Sequence, residues 1–171
     1  MTTPPAVALD PLTAADFSTV RRLADEIWRE HYAGIVGSAQ IDFMLSRRCA
    51  DEALAAYLGA ADRWFDVLRV EGEPAGYCSH ALEPADGVLK LEQLYLRARL
   101  RGRGLGRRML ARVERHALEL RRRTVELQVN KRNTSAIGFY VAGGFTIREA
   151  AVFDIGGGHV MDDYVMVKTL G

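Results

Sequence analysis

The sequence lacks several features that mark specialised classes of protein. Only two of its 171 residues are cysteine, Cys49 and Cys78, and neither belongs to a metal-ligand motif. Two cysteines are too few for a disulfide framework, which favours a reducing compartment and inert core thiols. A membrane helix needs about 20 consecutive apolar residues, and no apolar run in this sequence approaches that length. The N-terminal residues lack the basic head and the apolar run of a signal peptide. These absences predict a cytoplasmic protein with no membrane partner and no metal.

The length and composition predict one self-sufficient domain. Hydrophobic residues make up 49% of the chain and charged residues 26%, the balance of an ordinary globular protein. A chain of 171 residues can bury a core without help from metals or disulfides. Since no repeat, low-complexity tract or linker divides it, we interpret residues 1–171 as a single domain.

Charge is distributed unevenly along the chain. The net charge of +1 argues against general polyanion binding. Residues 1–96 carry 8 Lys and Arg against 15 Asp and Glu, whereas residues 97–123 carry 11 Arg against 2 Glu. A cationic segment in an otherwise acidic chain is expected where a small polyanion docks, and the acidic remainder suits a cationic second substrate.

Hydrophobic periodicity predicts a mixed α/β fold. The first predicted helix ends near Arg29, and the second begins at Ser38. Further helices are predicted over residues 51–58, 105–122 and 133–142. Predicted strands cover 7–9, 65–70, 75–82, 88–96, 124–129, 145–154 and 159–169. This order predicts helices first, then an antiparallel meander, a parallel strand–helix–strand crossover and a C-terminal hairpin.

A glycine-rich loop carries the strongest chemical signal. Gly102, Gly104 and Gly106 stand at alternate positions between a predicted strand and a predicted helix. Glycines allow positive φ and close approach, so successive N–H groups can converge on an anion at the helix N-terminus. Neighbouring arginines add bidentate donors for phosphate. The alternative is a tight strand-to-helix turn beside a solvated arginine face.

Two further observations narrow the ligand of this loop. It lacks the Gly-Lys-Ser/Thr ending of a P-loop, and it follows a meander rather than the first strand of a dinucleotide-binding fold, which disfavours ATP and NAD. Residues 101–106 match the pattern Gln/Arg-x-x-Gly-x-Gly/Ala, and residues 133–145 match Asn-x-x-Ala-x-x-Phe-Tyr-x-x-x-Gly-Phe. In these two motifs, and over residues 89–145 generally, the sequence resembles the GNAT superfamily of N-acetyltransferases. Residues 40–45 and 161–166 more loosely resemble bacterial members related to polyamine acetyltransferases.

The resemblance implies a fold, a co-substrate and a set of binding residues. It implies a single-domain GNAT fold with splayed central strands, and acetyl-CoA as co-substrate. Backbone N–H groups of the loop would hold the pyrophosphate, the strand before it would pair with the pantetheine arm, and Asn133 would reach that arm from the next crossover. The residues expected at the coenzyme are Leu94, Tyr95, Leu96, Arg101, Gly102, Arg103, Gly104, Leu105, Gly106, Arg107, Asn133, Phe139 and Tyr140.

Three residues are expected to carry the chemistry. By the resemblance, the amide of Leu94 would stabilise the oxyanion of the tetrahedral intermediate and Tyr140 would protonate the leaving thiolate. An attacking amine must first lose a proton, and Glu92 is expected to accept it, directly or through water. Strand alternation places Glu92 on the face of Leu94 and Leu96. The alternative for Glu92 is an ion pair with Lys90 or an arginine.

The acceptor is expected to be a small cationic amine, attacked directly in a ternary complex. Candidate acceptor-binding residues are His31, Tyr32, Asp162 and Asp163, which could equally be a helix end with a packing tyrosine and a hairpin end. The alternatives are a protein or peptide N-acetyltransferase and a non-catalytic acyl-CoA sensor. A nucleic-acid-binding module is disfavoured, because the arginines lie on several helix faces without aromatic residues for stacking. C-terminal strands often mediate dimers in this superfamily, so a homodimer is a further expectation.

The other histidines and the tryptophans are interpreted as structural. His80 is expected to be a hydrogen-bonded core residue and His116 to lie on a solvated helix face. Trp28 and Trp64 are expected to anchor the core.

Overall fold

A seven-stranded sheet organises residues 5–85 and 87–171, the part of the chain that the computed structural model describes. The strands are β1 (Val7–Pro11), β2 (Arg63–Val70), β3 (Glu73–Leu82), β4 (Val88–Leu96), β5 (Thr124–Asn130), β6 (Thr146–Gly156) and β7 (His159–Thr169). Their order in the sheet is β1-β2-β3-β4-β5-β7-β6. The β4–β5 pair is parallel and the other neighbours are antiparallel. The predicted meander, crossover and C-terminal hairpin are therefore confirmed.

Helices cover both faces of this sheet. They are α1 (Phe17–His31), α2 (Ser38–Arg48), α3 (Asp51–Ala55), α4 (Leu105–Glu119) and α5 (Thr134–Ala142). Residues of α1, α2 and α3 form one hydrophobic core with β2 and β3, while α4 and α5 pack into a second core on the opposite face. Helix α4 ends earlier than expected, since Arg121 takes a φ of 58°, which an α-helix does not allow.

Apolar residues spaced four apart attach α4 to the sheet. Leu105, Met109, Val113 and Ala117 are each at most 8% exposed, as the helical spacing predicts. The neighbouring face differs from expectation. His116 is half-buried rather than fully solvated: its Nδ1 lies 2.8 Å from Nε2 of buried His80 and its ring packs against Trp64.

The sheet splits between its two central strands. Parallel pairing between β4 and β5 runs from Val88 with Thr124 to Leu91 with Leu127. Beyond that point β4 continues to Leu96 and β5 to Asn130 without pairing to each other. The splayed central strands expected from the family resemblance are therefore present.

A β-bulge in β4 lies next to the split. Ser79 of β3 pairs with Gln93, and the next residue, His80, pairs with Leu91, so Glu92 has no opposite partner. One extra residue shifts the alternation of side chains along the rest of the strand. Leu91 before the bulge and Leu96 after it accordingly belong to the same core, the one beneath α4.

The bulge turns Glu92 away from the face on which it was expected. Its Oε2 accepts a 2.6 Å hydrogen bond from Oη of Tyr57, whose ring packs against Phe65 in the core beneath α1. Leu94 and Leu96 pack on the α4 side. The prediction that Glu92 shares a face with Leu94 and Leu96 is therefore wrong, because simple alternation does not hold across a bulge.

We predict that Gly76→Ala destabilises the fold. A Cβ at this position in β3 would lie 2.3 Å from the backbone oxygen of Tyr95 in β4, and neither backbone can move without breaking the ladder. The free energy of unfolding should fall by about 3 kcal/mol in urea denaturation. Gly138→Ala is the matched control, because a Cβ at this exposed position in α5 meets no atom within 4 Å. It should raise stability by about 0.5–1 kcal/mol, and equal effects of the two variants would contradict the packing described.

Candidate active site

A cleft of about 760 Å³ opens where β4 and β5 part. It is lined by the unpaired end of β4, the end of β5, the glycine-rich loop, and residues of α1, α2, α5 and β7. The predicted residues that line it are His31, Tyr32, Glu92, Leu94, Tyr95, Leu96, Arg101, Gly102, Gly104, Gly106, Arg107, Asn133, Phe139, Tyr140 and Asp163. Arg103, Leu105 and Asp162 are not among its lining residues. Most of the predicted site thus comes together in one place.

The glycine-rich loop, residues 101–107, forms a cradle at the start of α4. Gly102 and Gly104 have φ values of 75° and 77°, which side-chain-bearing residues rarely adopt. Gly104 is the N-cap of α4 and no side chain caps the helix, so N–H groups of its first turn have no intrahelical acceptor. These donors and the positive end of the helix dipole create an anion-binding position beside the cleft.

The remaining cradle residues have separate structural tasks. Gly106 allows α4 to approach α5, since a Cβ there would lie 3.1 Å from the Phe139 ring. The side chain of Leu105 is 8% exposed and belongs to the core, so only its backbone is available to a ligand. Arg103 is exposed outside the cleft.

The unpaired end of β4 presents hydrogen-bonding groups to the cleft. The N–H of Arg97 donates to the carbonyl of Ala75, the residue that precedes Gly76 in β3, at 3.0 Å. Because backbone groups alternate along a strand, the N–H of Tyr95 also points toward β3, and those of Leu94 and Leu96 point away from it. The Leu94 and Leu96 amides therefore face the gap that β5 has left.

His31, the last residue of α1, connects two sides of the cleft. Its Nε2 donates to Oδ1 of Asn133 at 3.1 Å, and Nη2 of Arg101 donates to its Nδ1 at 3.3 Å. Oδ1 of Asn133 also accepts the N–H of Ala136 as the N-cap of α5. Burial, and then the charge of Arg101, lower the pKa of His31, which favours the neutral ring that these hydrogen bonds require.

Tyr140 lies at the floor of the cleft. It is 8% exposed and packs between Phe139 and Phe145. Burial raises the pKa of its phenol well above the ordinary value, so the hydroxyl stays protonated at neutral pH. Tyr140 can therefore donate a proton.

An aromatic cluster forms the wall on the α1 side. The hydroxyls of Tyr32 and Tyr95 lie 2.8 Å apart, and Trp28 Nε1 donates to the hydroxyl of Tyr77 at 2.8 Å. The Trp28 and Tyr95 rings are 5.1 Å apart. Burial raises the pKa of Tyr32 and of Tyr95, so this wall carries no charge.

The two adjacent aspartates of β7 have opposite surroundings. Asp162 forms an ion pair with Lys131 and is exposed. Asp163 is 4% exposed, lines the cleft, and its Oδ1 has no hydrogen-bond partner among the described residues. Burial, reinforced by the charge of Asp162 and opposed by Lys131, raises the pKa of Asp163 to about 6.

Two arginines in the site were missed by the sequence reasoning. Arg47 and Arg48 of α2 line the cleft together with Met44. Their signal was present in the sequence, because positions 44, 47 and 48 share one face of a helix.

We predict that Asp163→Asn stabilises the protein at pH 7. Because the folded-state pKa of Asp163, about 6, exceeds the ordinary 3.8, the folded protein binds more protons between these values, and stability falls as pH rises from about 4 to about 6. Removing the carboxylate should add about 1–2 kcal/mol to the free energy of unfolding at pH 7, measured by denaturant titration. The gain should disappear near pH 4.

The control for this prediction is Asp162→Asn. This neighbouring carboxylate is exposed and paired with Lys131, so its loss should change stability by less than about 0.5 kcal/mol. A variant Asp163→Asn that is no more stable than the wild type at pH 7 would contradict the burial of an ionised carboxylate at this position.

The fold and this cleft define a class of protein that binds a coenzyme between splayed strands and over a helix N-terminus. Residues 20–145 match the model of the acetyltransferase (GNAT) family. Since the match covers most of the chain, the protein belongs to the GNAT acetyltransferase family, and it is an acyltransferase that uses acetyl-CoA.

Individual proteins agree with this assignment. An uncharacterized N-acetyltransferase of Lactobacillus delbrueckii is 27% identical over 132 residues, which cover 74% of this chain and 76% of the relative. The PaiA N-acetyltransferase of Thermoplasma acidophilum, solved with coenzyme A, has a TM-score of 0.81 at 20% identity, covering 96% of this chain and 99% of that one. A chimeric spermidine N-acetyltransferase from Vibrio cholerae has a TM-score of 0.71 at 17% identity, covering 95% of both chains. At these identities the two structures show the fold alone.

Proposed function

We propose that this protein transfers the acetyl group of acetyl-CoA to a small cationic primary amine, by direct attack in a ternary complex. The observation that carries the proposal is the unpaired end of β4, which leads into an uncapped helix N-terminus inside one cleft. Pantetheine carries two amides and ends in a pyrophosphate, so it matches both features in sequence. The spermidine acetyltransferase of the same fold acts on an amine of the proposed type.

The coenzyme-binding roles follow the order of the groups along coenzyme A. The cradle N–H groups, Arg101 and Arg107 bind the pyrophosphate. Leu94 and Leu96 pair with the pantetheine amides as a strand would, while Asn133 contributes from the opposite side. His31 holds Arg101 and Asn133 in position through the two hydrogen bonds described above.

The proposed chemistry needs an oxyanion donor, an acid and a base. The Leu94 N–H points into the cleft and stabilises the oxyanion. Tyr140, protonated at neutral pH, supplies the proton to the departing thiolate. The ammonium proton of the acceptor passes to a carboxylate, for which the cleft offers Glu92 and Asp163.

A covalent acetyl-enzyme is disfavoured in this scheme. Cys78 is fully buried, is not among the lining residues of the cleft, and burial raises the pKa of its thiol far above the ordinary value. Cys49 is also buried, with a thiol pKa raised to about 11. Neither thiol is activated for attack on a thioester.

We also propose a cytoplasmic location and a homodimer. No helix among the described residues is long and apolar enough to cross a membrane. Both cysteines are unpaired, in keeping with the cytoplasm. If a homodimer forms, we propose that it uses the edge strand β6, where Ile147 and Val152 are exposed.

The test of this function is thiol release from acetyl-CoA in the presence of amines. The purified protein should release thiol with alkyl monoamines, diamines and polyamines, and each acetylated amine should be identified by mass spectrometry. Peptides with free N-termini serve as the competing acceptor class. Activity with peptides alone would contradict the small-amine proposal, and no thiol release with any amine would contradict the transferase proposal.

A pair of arginine variants tests the cradle in the same assay. Arg101 lines the cleft, whereas Arg99 is exposed two residues earlier and does not. Losing a charge-assisted hydrogen bond to phosphate should raise the KM for acetyl-CoA of Arg101→Gln about tenfold. Arg99→Gln should leave that KM unchanged.

Tyr140→Phe should lower kcat roughly 100-fold near pH 7. The variant keeps the packing of the ring but removes the proton that the thiolate needs. The loss should persist at alkaline pH, because the raised pKa keeps the wild-type Tyr140 hydroxyl protonated there. Tyr164→Phe is the control, because Tyr164 packs against the same core without lining the cleft. Unchanged kcat in Tyr140→Phe, with the fold intact, would remove Tyr140 from the mechanism.

A further inference from the structure

We propose that Asp163 is the general base that takes the proton of the acceptor ammonium, and that Glu92 is not. This inference rests on the proposed function, and it concerns the catalytic role of one residue. Sequence reasoning offered Asp163 only as a binding residue and offered Glu92 as the base. The two carboxylates differ in where they lie relative to the reacting carbonyl.

The strand register places Asp163 at the level of the reaction. The last β4–β5 pair is Leu91 with Leu127. Three residues further along each strand stand Leu94 and Asn130, and the bulge in β4 offsets this correspondence by one residue. Asn130 pairs with Asp163 in β7. By this count along the strands, Asp163 stands one strand beyond β5, near the level of Leu94, and both residues line the cleft. The Leu94 amide binds the thioester oxygen in the proposed mechanism.

The direction of the side chain agrees with this role. Tyr164 and Met166 pack on the α4 side of the sheet, so strand alternation turns Asp163 toward α1. Its charge is close enough to Tyr32, at the end of α1, to raise the pKa of that phenol. An amine in the cleft therefore meets this carboxylate near the uncharged aromatic wall that Tyr32 and Tyr95 form on the α1 side.

The hydrogen bonding of Asp163 is incomplete in a way that an ammonium would complete. Its Oδ1 is buried without a partner among the described residues, which is costly for a carboxylate. A primary ammonium carries three N–H donors and a positive charge, so it would satisfy this oxygen when bound. Lys131 does not serve that purpose, because it is paired with Asp162.

Glu92 is placed less favourably. It stands at the bulge, one residue after the last β4–β5 pair, where the strands have only begun to part. Its Oε2 already accepts the hydroxyl proton of Tyr57 at 2.6 Å. It is therefore occupied, and it lies nearer the closed end of the split than the Leu94 amide does.

The proton balance closes with Asp163 as base. The ammonium gives one proton to the Asp163 carboxylate, and the neutral nitrogen forms a bond to the thioester carbon. The tetrahedral intermediate collapses with cleavage of the C–S bond, and Tyr140 protonates the thiolate. The second N–H proton of the attacking nitrogen restores the Tyr140 hydroxyl. The products are the amide, the thiol and one proton, which leaves Asp163 for solvent.

Two charged neighbours shift the pKa of Asp163 in opposite directions, so replacing each one should move that pKa in a known direction. Asp162 from the same strand raises its pKa, and Lys131 from the turn after β5 lowers it. Tyr32, at the end of α1, is neutral. The positive charge of Arg48, at the end of α2, acts to lower the pKa of this tyrosine. With a pKa of about 6, the carboxylate is ionised at pH 7 and close to the operating pH that suits a base.

The experiment compares pH profiles of kcat/KM for an alkylamine and for an arylamine, which is uncharged at pH 7. The wild type should lose activity toward the alkylamine below an apparent pKa near 6. In Asp163→Asn the break of this limb near pH 6 should vanish, and activity at pH 7 should fall about 100-fold. The remaining activity should be proportional to free amine, so it declines steadily as the pH falls. Activity toward the arylamine should be little changed, because that acceptor needs no initial deprotonation.

Neighbouring variants identify the titrating group. Asp162→Asn should move the acid limb to lower pH and Lys131→Gln should move it to higher pH, because the first removes a negative and the second a positive neighbour of Asp163. Glu92→Gln should keep the limb. Asp62→Asn, at an exposed residue paired with Arg63, should change neither the limb nor the rate.

The outcomes separate this inference from the proposed function. A limb that survives in Asp163→Asn and vanishes in Glu92→Gln would assign the base to Glu92 and overturn the inference alone. A raised KM with unchanged kcat and limb in Asp163→Asn would make the residue an acceptor anchor, which also overturns it. Thiol release absent from the wild type would overturn both. A melting curve of Asp163→Asn at pH 7 shows that the variant is folded.

Discussion

The loss of pairing between β4 and β5 after Leu91 is the constraint on which the site depends. A parallel pair in the middle of a sheet is normally closed along its length, because buried backbone groups need partners. Here the two strands continue without pairing to each other, and a cleft of about 760 Å³ lies where the inter-strand hydrogen bonds are missing. A ligand with amide groups can complete the ladder, so binding uses the same interaction that holds the rest of the sheet together.

The parts of this arrangement that could be predicted from sequence are those governed by local rules. Glycines at 102, 104 and 106 indicated a turn with positive φ before a helix, and the structure has that turn. Leu105, Met109, Val113 and Ala117 repeat every four residues and attach the helix to the sheet. Neither feature depends on how distant segments of the chain meet. The order of the elements along the chain followed from the same local patterns together with general rules of chain connection. The position of β7 between β5 and β6 in the sheet was not predicted.

Features that depend on pairing between strands could not be predicted. The bulge at Glu92 exists because β3 offers one residue fewer than β4, and nothing in the β4 sequence alone records this. The adjacent pair Asp162 and Asp163 looked equivalent until the β7 register fixed which one faces the cleft. The charge pattern of residues 97–123 also could not show which of its arginines line the cleft. Arg101 and Arg107 line the cleft, whereas Arg108 bonds the carbonyl of Val7, the first residue of β1.

The site is built at some cost to the stability of the fold. Asp163 is a buried carboxylate whose ionisation is opposed by its surroundings, and a core residue chosen for stability alone would be apolar. On the α1 side of the cleft, the hydroxyls of Tyr32 and Tyr95 bond to each other, and Trp28 donates to the hydroxyl of Tyr77. Two cleft-lining residues, Asp163 and Gln93, each have a buried side-chain oxygen without a partner among the described residues. This is the pattern expected where a ligand supplies the missing partners. The same comparison sets Asp163 apart from Glu92, whose partner is already part of the protein.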